Sequence, residues 1–162
     1  MNEIAALFRR LSVGVYVIGV ADGERRSAFT AAWVTQVSFD PLLLVMSVNQ
    51  QNASYGILRA SGAFTVNVLE RGQLELARRF GTSSSRDHDK LAGVPWHPGA
   101  NGAPVLDDAL AYFECTLQDR HTAGDHELVV GRVMGGRVLA PDAAPMLYAE
   151  TGDMDGSSTM FG

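Results

Sequence analysis

The run Val13-Gly14-Val15-Tyr16-Val17-Ile18-Gly19-Val20 is β-branched or aromatic at nearly every position that is not glycine. It is too short and too branched to persist as a helix, so it reads as a strand. Gly14 and Gly19 mark a bend in it or a place where another backbone comes close. Further strand-like runs follow at residues 26–37, 42–48, 63–69, 111–121 and 127–139, with Asp22-Gly23, Asp40-Pro41 and Gly124-Asp125 as turns between neighbours. Three short helices serve as connections. The first, in the opening dozen residues, carries Ile4, Leu7, Phe8 and Leu11 at helical spacing. The second, over 52–60, has Asn52 as its N-cap and Gly62 as its stop. The third, over 73–80, has Glu75 and Arg79 placed to pair one turn apart. No strand–helix–strand alternation is sustained, which argues against a doubly wound parallel sheet. About six glycine-kinked strands with short helical links are best closed into an antiparallel β-barrel, because closure removes exposed edges.

The remaining stretches are irregular. Residues 83–89 form a polar Ser-rich loop, expected to be the mobile segment, and residues 94–104 hold too much Gly and Pro for regular structure. Residues 145–148 offer a last short strand, and the tail that follows is acidic and rich in small residues. No repeat or linker divides the 162 residues, so they read as one domain, with 149–162 an unassigned tail.

Charge and composition exclude several classes. A net charge of -5 gives no basic face for nucleic acid. Lys90 is the single lysine in a chain whose positive charge is otherwise arginine. Cys115, alone, makes no internal disulfide and fits a reducing compartment. The N-terminal residues lack the order of a secretory signal, and no run approaches the roughly 18 apolar residues of a membrane span. A soluble cytoplasmic protein is expected.

Most of the chemistry-bearing motifs are missing. There is no Gly-x-Gly-x-x-Gly at a strand–helix junction, no P-loop and no Gly-x-Ser-x-Gly. The histidines His88, His97, His121 and His126 do not fall at metal-ligand spacings with Cys115, so no metal is expected. What remains is the stretch from Ser27 to Ser54. Its first run, through Thr30, Ala31, Ala32 and Trp33, is rich in small and hydroxyl residues. Its second, through Ser47, Val48 and Asn49, runs out into Asn52 and Ser54. Small side chains let a planar heterocycle approach backbone, and Asn52 and Ser54 at a helix start could hold a phosphate. Arg79 could add a charge-assisted contact, and His126 stands in a glycine turn open to a second substrate. Each also fits a structural role: a cap, a core filler, a surface charge, a turn histidine.

The order of motifs resembles the flavin reductase-like family, the small FMN-binding split barrels. The matching pieces are Phe8-Arg9-Arg10 with the Val-rich first strand, Phe29-Thr30-Ala31-Ala32-Trp33 and Val37-Ser38-Phe39-Asp40-Pro41. They continue with Ser61-Gly62-Ala63-Phe64, Leu76-Ala77-Arg78-Arg79-Phe80, Gly102-Ala103-Pro104-Val105-Leu106, Leu110-Ala111-Tyr112-Phe113 and Ala123-Gly124-Asp125-His126, over roughly residues 4 to 148. The resemblance implies a mainly β, Greek-key-like split barrel that binds FMN, with FAD as the alternative. It implies a homodimer that takes hydride from NADH or NADPH and supplies a partner monooxygenase or other redox protein. By the same resemblance Thr30, Ala31, Ala32 and Trp33 line the ring system. Ser47, Val48 and Asn49 touch the ring and ribityl chain, and Asn52, Ser54, Arg79 and Phe80 surround the phosphate. His126 becomes the residue nearest an incoming nicotinamide.

The match has departures. Ala32-Trp33 stands where the family often has Ser-Ser, which points to a protein electron donor as a rival to free nicotinamide. The rival function is an FMN-carrying electron-transfer protein without a productive nicotinamide site; a barrel that binds another ligand such as haem is a third reading. Ser54-Tyr55-Gly56 replaces the family's more usual Ser-x-Thr, and the tail does not match the common ending.

Overall fold

The computed structural model describes residues 3–82 and 89–160. The polar run expected at 83–89 lies, but for Asp89, outside them. The helices are α1 (Glu3–Phe8), α2 (Tyr55–Ser61) and α3 (Leu74–Gly81). The strands are β1 (Tyr16–Asp22), β2 (Arg25–Ala31), β3 (Val34–Ser38), β4 (Leu43–Asn49), β5 (Ala63–Val68), β6 (Trp96–Pro98), β7 (Pro104–Leu106), β8 (Ala111–Ala123) and β9 (His126–Val138).

Seven strands form one antiparallel sheet in the order β2-β1-β5-β8-β9-β4-β3. Its two edges, β2 and β3, are consecutive in the chain and separated only by Ala32 and Trp33. Two residues cannot cross an open seven-stranded sheet, so the sheet must curl until its edges meet. Trp33 continues the β3–β4 ladder by one rung, its carbonyl accepting the Ser47 N–H at 2.9 Å, so the joining ribbon is held against the end of β4. The result is the expected antiparallel barrel with short connecting helices, split along one seam.

Because the barrel is wrapped, β1 is buried on both faces, which is why its run is Val-rich without alternating polarity. Ile18 and Val20 point inward with Phe29, Met46, Phe64 and Val129, and α2 adds Tyr55 and Leu58 to that core. Val15 and Val17 belong to a second, outer core with Ala77 and Phe80 of α3, Leu106 and Met146. Gly19 lies where the Pro104 carbonyl and the Thr65 hydroxyl come against β1, leaving no room for a Cβ.

Several expectations need correction. Nine strands are present among the described residues, against about six expected: the 26–37 run breaks at Ala32-Trp33, and the Gly/Pro-rich region folds into the β6–β7 hairpin. Proline is tolerated there because Pro98 and Pro104 face each other at the end of a two-stranded edge ladder. Helix α2 starts at Tyr55, with Ser54 as its N-cap. Asn52 closes the turn before it, its Oδ1 accepting the Ser54 N–H at 2.9 Å. Gly62 does end the helix, in the left-handed region at φ 75°. Glu75 pairs with Arg78 at 2.9 Å, and Arg79 has other partners. Pro145 and Leu147 make only isolated bridges, to Glu70 and Gly14. Helix α1 stops at Phe8, short of the dozen residues expected, and its apolar side faces outward: Ala5 is buried, while Leu7 and, beyond the helix, Leu11 are 61% and 60% exposed.

Candidate functional site

The seam opens into a cleft of about 840 Å³, counting its mouth. One wall is the joining ribbon itself, Thr30, Ala31, Ala32 and Trp33. The facing wall is the end of β4 with Ser47, Val48 and Asn49, continued by Asn52. His126 reaches the same cleft because β9 pairs with β4 in a register that sets His126 opposite Asn49. Stretches far apart in sequence thus meet through strand pairing alone.

At the mouth, the His126 and Trp33 rings lie 5.0 Å apart at an interplanar angle of 47°. His126 Nδ1 is 2.7 Å from Asp125 Oδ1. That hydrogen bond, and the charge behind it, hold the Asp125 carboxyl below the usual carboxylate range. With Nδ1 engaged by Asp125, Nε2 is the ring nitrogen left for other chemistry. The Trp33 indole is about half exposed and stands beside the cleft without closing it.

Past Thr30, Asn49 and Asn52 the cleft continues into a more polar extension bordered by Gln51, Phe80, Gly81, Thr82 and Lys90. Lys90 is 6% exposed. Its Nζ donates to the Thr82 carbonyl and, at 3.5 Å, to that of Phe80, and no carboxylate pairs with it among the described residues. Burial pulls its ammonium below the usual lysine range. A buried cation matched only by carbonyls, at the edge of a polar opening, suits an anionic group.

Two expected phosphate residues sit elsewhere. Ser54 is buried, its hydroxyl 2.7 Å from that of Ser27. The Arg79 guanidinium donates to the carbonyls of Lys90, at 2.6 Å, and Ala92. It therefore fixes the segment that presents Lys90. Phe80 lies in the outer core and borders the extension. The Thr30 hydroxyl is spent on the Ala77 carbonyl at 2.7 Å, tying β2 to α3. Cys115 is a core residue, its thiol pushed up to about 12 by burial.

Sequence reasoning missed Lys90 and the part of the C-terminal tail that lines the cleft, Tyr148, Thr151, Met154 and Asp155. Lys90 had a signal, being the only lysine in the chain. The tail had none, since small and acidic residues look alike whether they form a wall or a free end.

The cleft suits a flavin on three counts. Ala31 and Ala32 put no bulk into it, the indole of Trp33 does not fill it, and its polar end carries a buried cation.

Comparison with known proteins agrees. Residues 8–157 match the model of the flavin reductase like domain. The chain is 36% identical over 148 residues to diflavin flavoprotein A 1 of Synechocystis sp. (strain PCC 6803), covering 91% of this chain and 26% of that protein. A probable flavin reductase of Rhizobium meliloti is 35% identical over 127 residues, 78% of this chain and 40% of that protein. Among solved structures, the NADH:FAD oxidoreductase SgcE6 of Streptomyces globisporus superposes with a TM-score of 0.84 at 31% identity, covering 91% of this chain and 88% of that one. The chain spans about a quarter of the length of the diflavin flavoproteins that it matches. With this barrel, this cleft and a match over nearly its whole length, the chain belongs to the flavin reductase-like domain family.

Proposed function

We propose that the chain is an NAD(P)H-dependent flavin reductase that passes electrons to a partner oxygenase or other redox protein. The observation that carries this reading is the joint placement of the small-residue ribbon, the His126–Trp33 pair and Lys90 around one cleft. Residues 30–33 and 47–49 would bound the ring system of FMN or FAD. Asn52 would lie along the chain that follows, and Lys90 would take the phosphate end. Ser54 and Arg79 would support that end indirectly, through the α2 N-terminus and the Lys90 segment, and Phe80 would border it. A flavin bound there supplies the acceptor for a hydride, which is then available to a partner. The protein's own share is positioning and exclusion of water. His126, held by Asp125 and flanked by Trp33, would orient the nicotinamide at the mouth.

The outward apolar stripe of α1 and the exposed Trp33, next to the cleft, support a homodimer with its sites near the subunit interface. The lone Cys115 supports a reducing, cytoplasmic setting. No helix among the described residues is long and apolar enough to cross a membrane. The 162 residues are proposed to act as one flavin-binding domain.

A second reading, an FMN-carrying electron-transfer module, is favoured by the Trp33 indole standing where a nicotinamide would approach. Anaerobic mixing with NADH and with NADPH separates the two readings. A reductase bleaches bound flavin within catalytic times, and an electron-transfer module does not. In the reductase case His126→Ala slows nicotinamide oxidation by about tenfold or more while flavin affinity stays within a factor of about three. Unchanged rates would remove His126 from the role given to it.

A further inference from the structure

We propose that Arg9 is a positioning residue that holds the C-terminal segment 148–157 as the outer wall of the flavin cleft, so that flavin affinity depends on a charge latch between the two ends of the chain. This rests on the reading of the cleft as a flavin site. The segment contributes Tyr148, Thr151, Met154 and Asp155 to the cleft lining. Its attachment to the barrel is slight. Tyr148 donates its N–H to the Val13 carbonyl at 2.8 Å, and Met154 packs with Tyr148 on the outer core. Past Tyr148, the backbone hydrogen bonds among the described residues run only within residues 147–160. Two arginines tie its side chains back to the body: Arg71, exposed, to Glu150, and Arg9.

Arg9 engages several points of the segment at once. Its side chain is 9% exposed, with Nη2 at 3.6 Å from Asp153 Oδ1 and 3.7 Å from Asp155 Oδ1. The same nitrogen is 3.3 Å from the Ser157 hydroxyl, and the guanidinium lies 5.0 Å from the Tyr148 ring centroid. The Tyr148 hydroxyl in turn donates to Asp155. A guanidinium sheltered in this way interacts more strongly than an exposed ion pair. A single nitrogen, Nη2, faces both carboxylates and the Ser157 hydroxyl, while Nε and Nη1 are buried without a hydrogen-bond partner among the described residues and the guanidinium lies over Tyr148. Removing it leaves Asp153 and Asp155 close to each other without a cation between them, so the segment swings away and the cleft loses a wall.

The test compares FMN binding by fluorescence quenching, tail cleavage by a nonspecific protease, and the urea midpoint of the flavin-free protein. Wild-type protein that fails to quench FMN defeats the flavin reading itself. If wild type binds, Arg9→Met is expected to weaken FMN by about tenfold and to speed cleavage within 148–160, at an unchanged urea midpoint. Arg9→Lys recovers part of the affinity. The double variant Asp153→Asn, Asp155→Asn, which leaves Arg9 in place, reproduces the loss. Equal FMN affinity in wild type and Arg9→Met overturns the latch. So does a loss in Arg9→Met that comes with a lower urea midpoint and no matching loss in the double variant.

Discussion

At the scale of single residues, the proposed site depends on few side chains, and Lys90 is the one whose role is easiest to isolate. Its ammonium is buried against carbonyls, with its acidity raised by desolvation. An anion delivered to it would restore the balance, and a neutral ligand would not. Lys90→Met is therefore expected to weaken FMN by about tenfold to a hundredfold, as for loss of a hydrogen bond to a charged group. The same change should leave riboflavin, which has no phosphate, nearly unaffected. Titration of both ligands by fluorescence quenching checks this, and equal losses for the two would move the phosphate elsewhere. Arg79 shows the reverse case. Its sequence position beside a helix end suggests a ligand contact, yet both of its hydrogen bonds go to backbone of the segment around Lys90.

At the scale of elements, strand β9 carries the most consequence. Its pairing with β4 brings His126 opposite Asn49, and its pairing with β8 runs the full length of both strands. That long ladder needs glycines where the barrel wall turns inward. Gly131 sits opposite Leu44 on one side and Leu117 on the other, and a Cβ there would collide with the buried ring of Phe64. Gly131→Ala is expected to cost about 1–3 kcal/mol, as overpacking in a closed core does. A urea denaturation midpoint measures it, and a neutral result would mean that Phe64 can shift at no cost. Helix α1 presents the opposite situation. Its sequence pattern is amphipathic, but the barrel does not lie under the apolar side.

At the scale of the whole molecule, that outward stripe bears on assembly. Leu7, Leu11 and Trp33 are each more than half exposed, and Leu11 and Trp33 also border an apolar groove beside the cleft. Apolar surface gathered in this way is expected to be covered in a dimer. Light scattering should give twice the 17.4 kDa chain mass. The double change Leu7→Glu, Leu11→Glu should shift it to the monomer without unfolding the barrel. A wild-type monomer at micromolar concentration would leave the stripe to a different partner.

The first strand, expected over 13–20 and found over 16–22, the Asp22-Gly23 turn, the glycine that ends α2 and the glycine turn before His126 were legible in the sequence. These are short-range matters: β-branching, turn chemistry and side-chain bulk act on neighbours along the chain. Local order also marked out residues 30–32 and 47–49 as strand-like stretches with little side-chain bulk. The sequence alone did not show that 96–98 and 104–106 pair, because a Gly/Pro-rich stretch gains a ladder only where a partner strand lies alongside. Nor did it show that β2 and β3 form opposite edges of one sheet, or that Lys90 and the tail reach the cleft. Those outcomes depend on which distant segments pack together, and a residue's own neighbours carry no record of that. Residue chemistry and local conformation were therefore determined by the sequence read on its own. The seam that gathers those residues into one site was decided only by the closing of the barrel, since two residues must bridge the sheet's two edges.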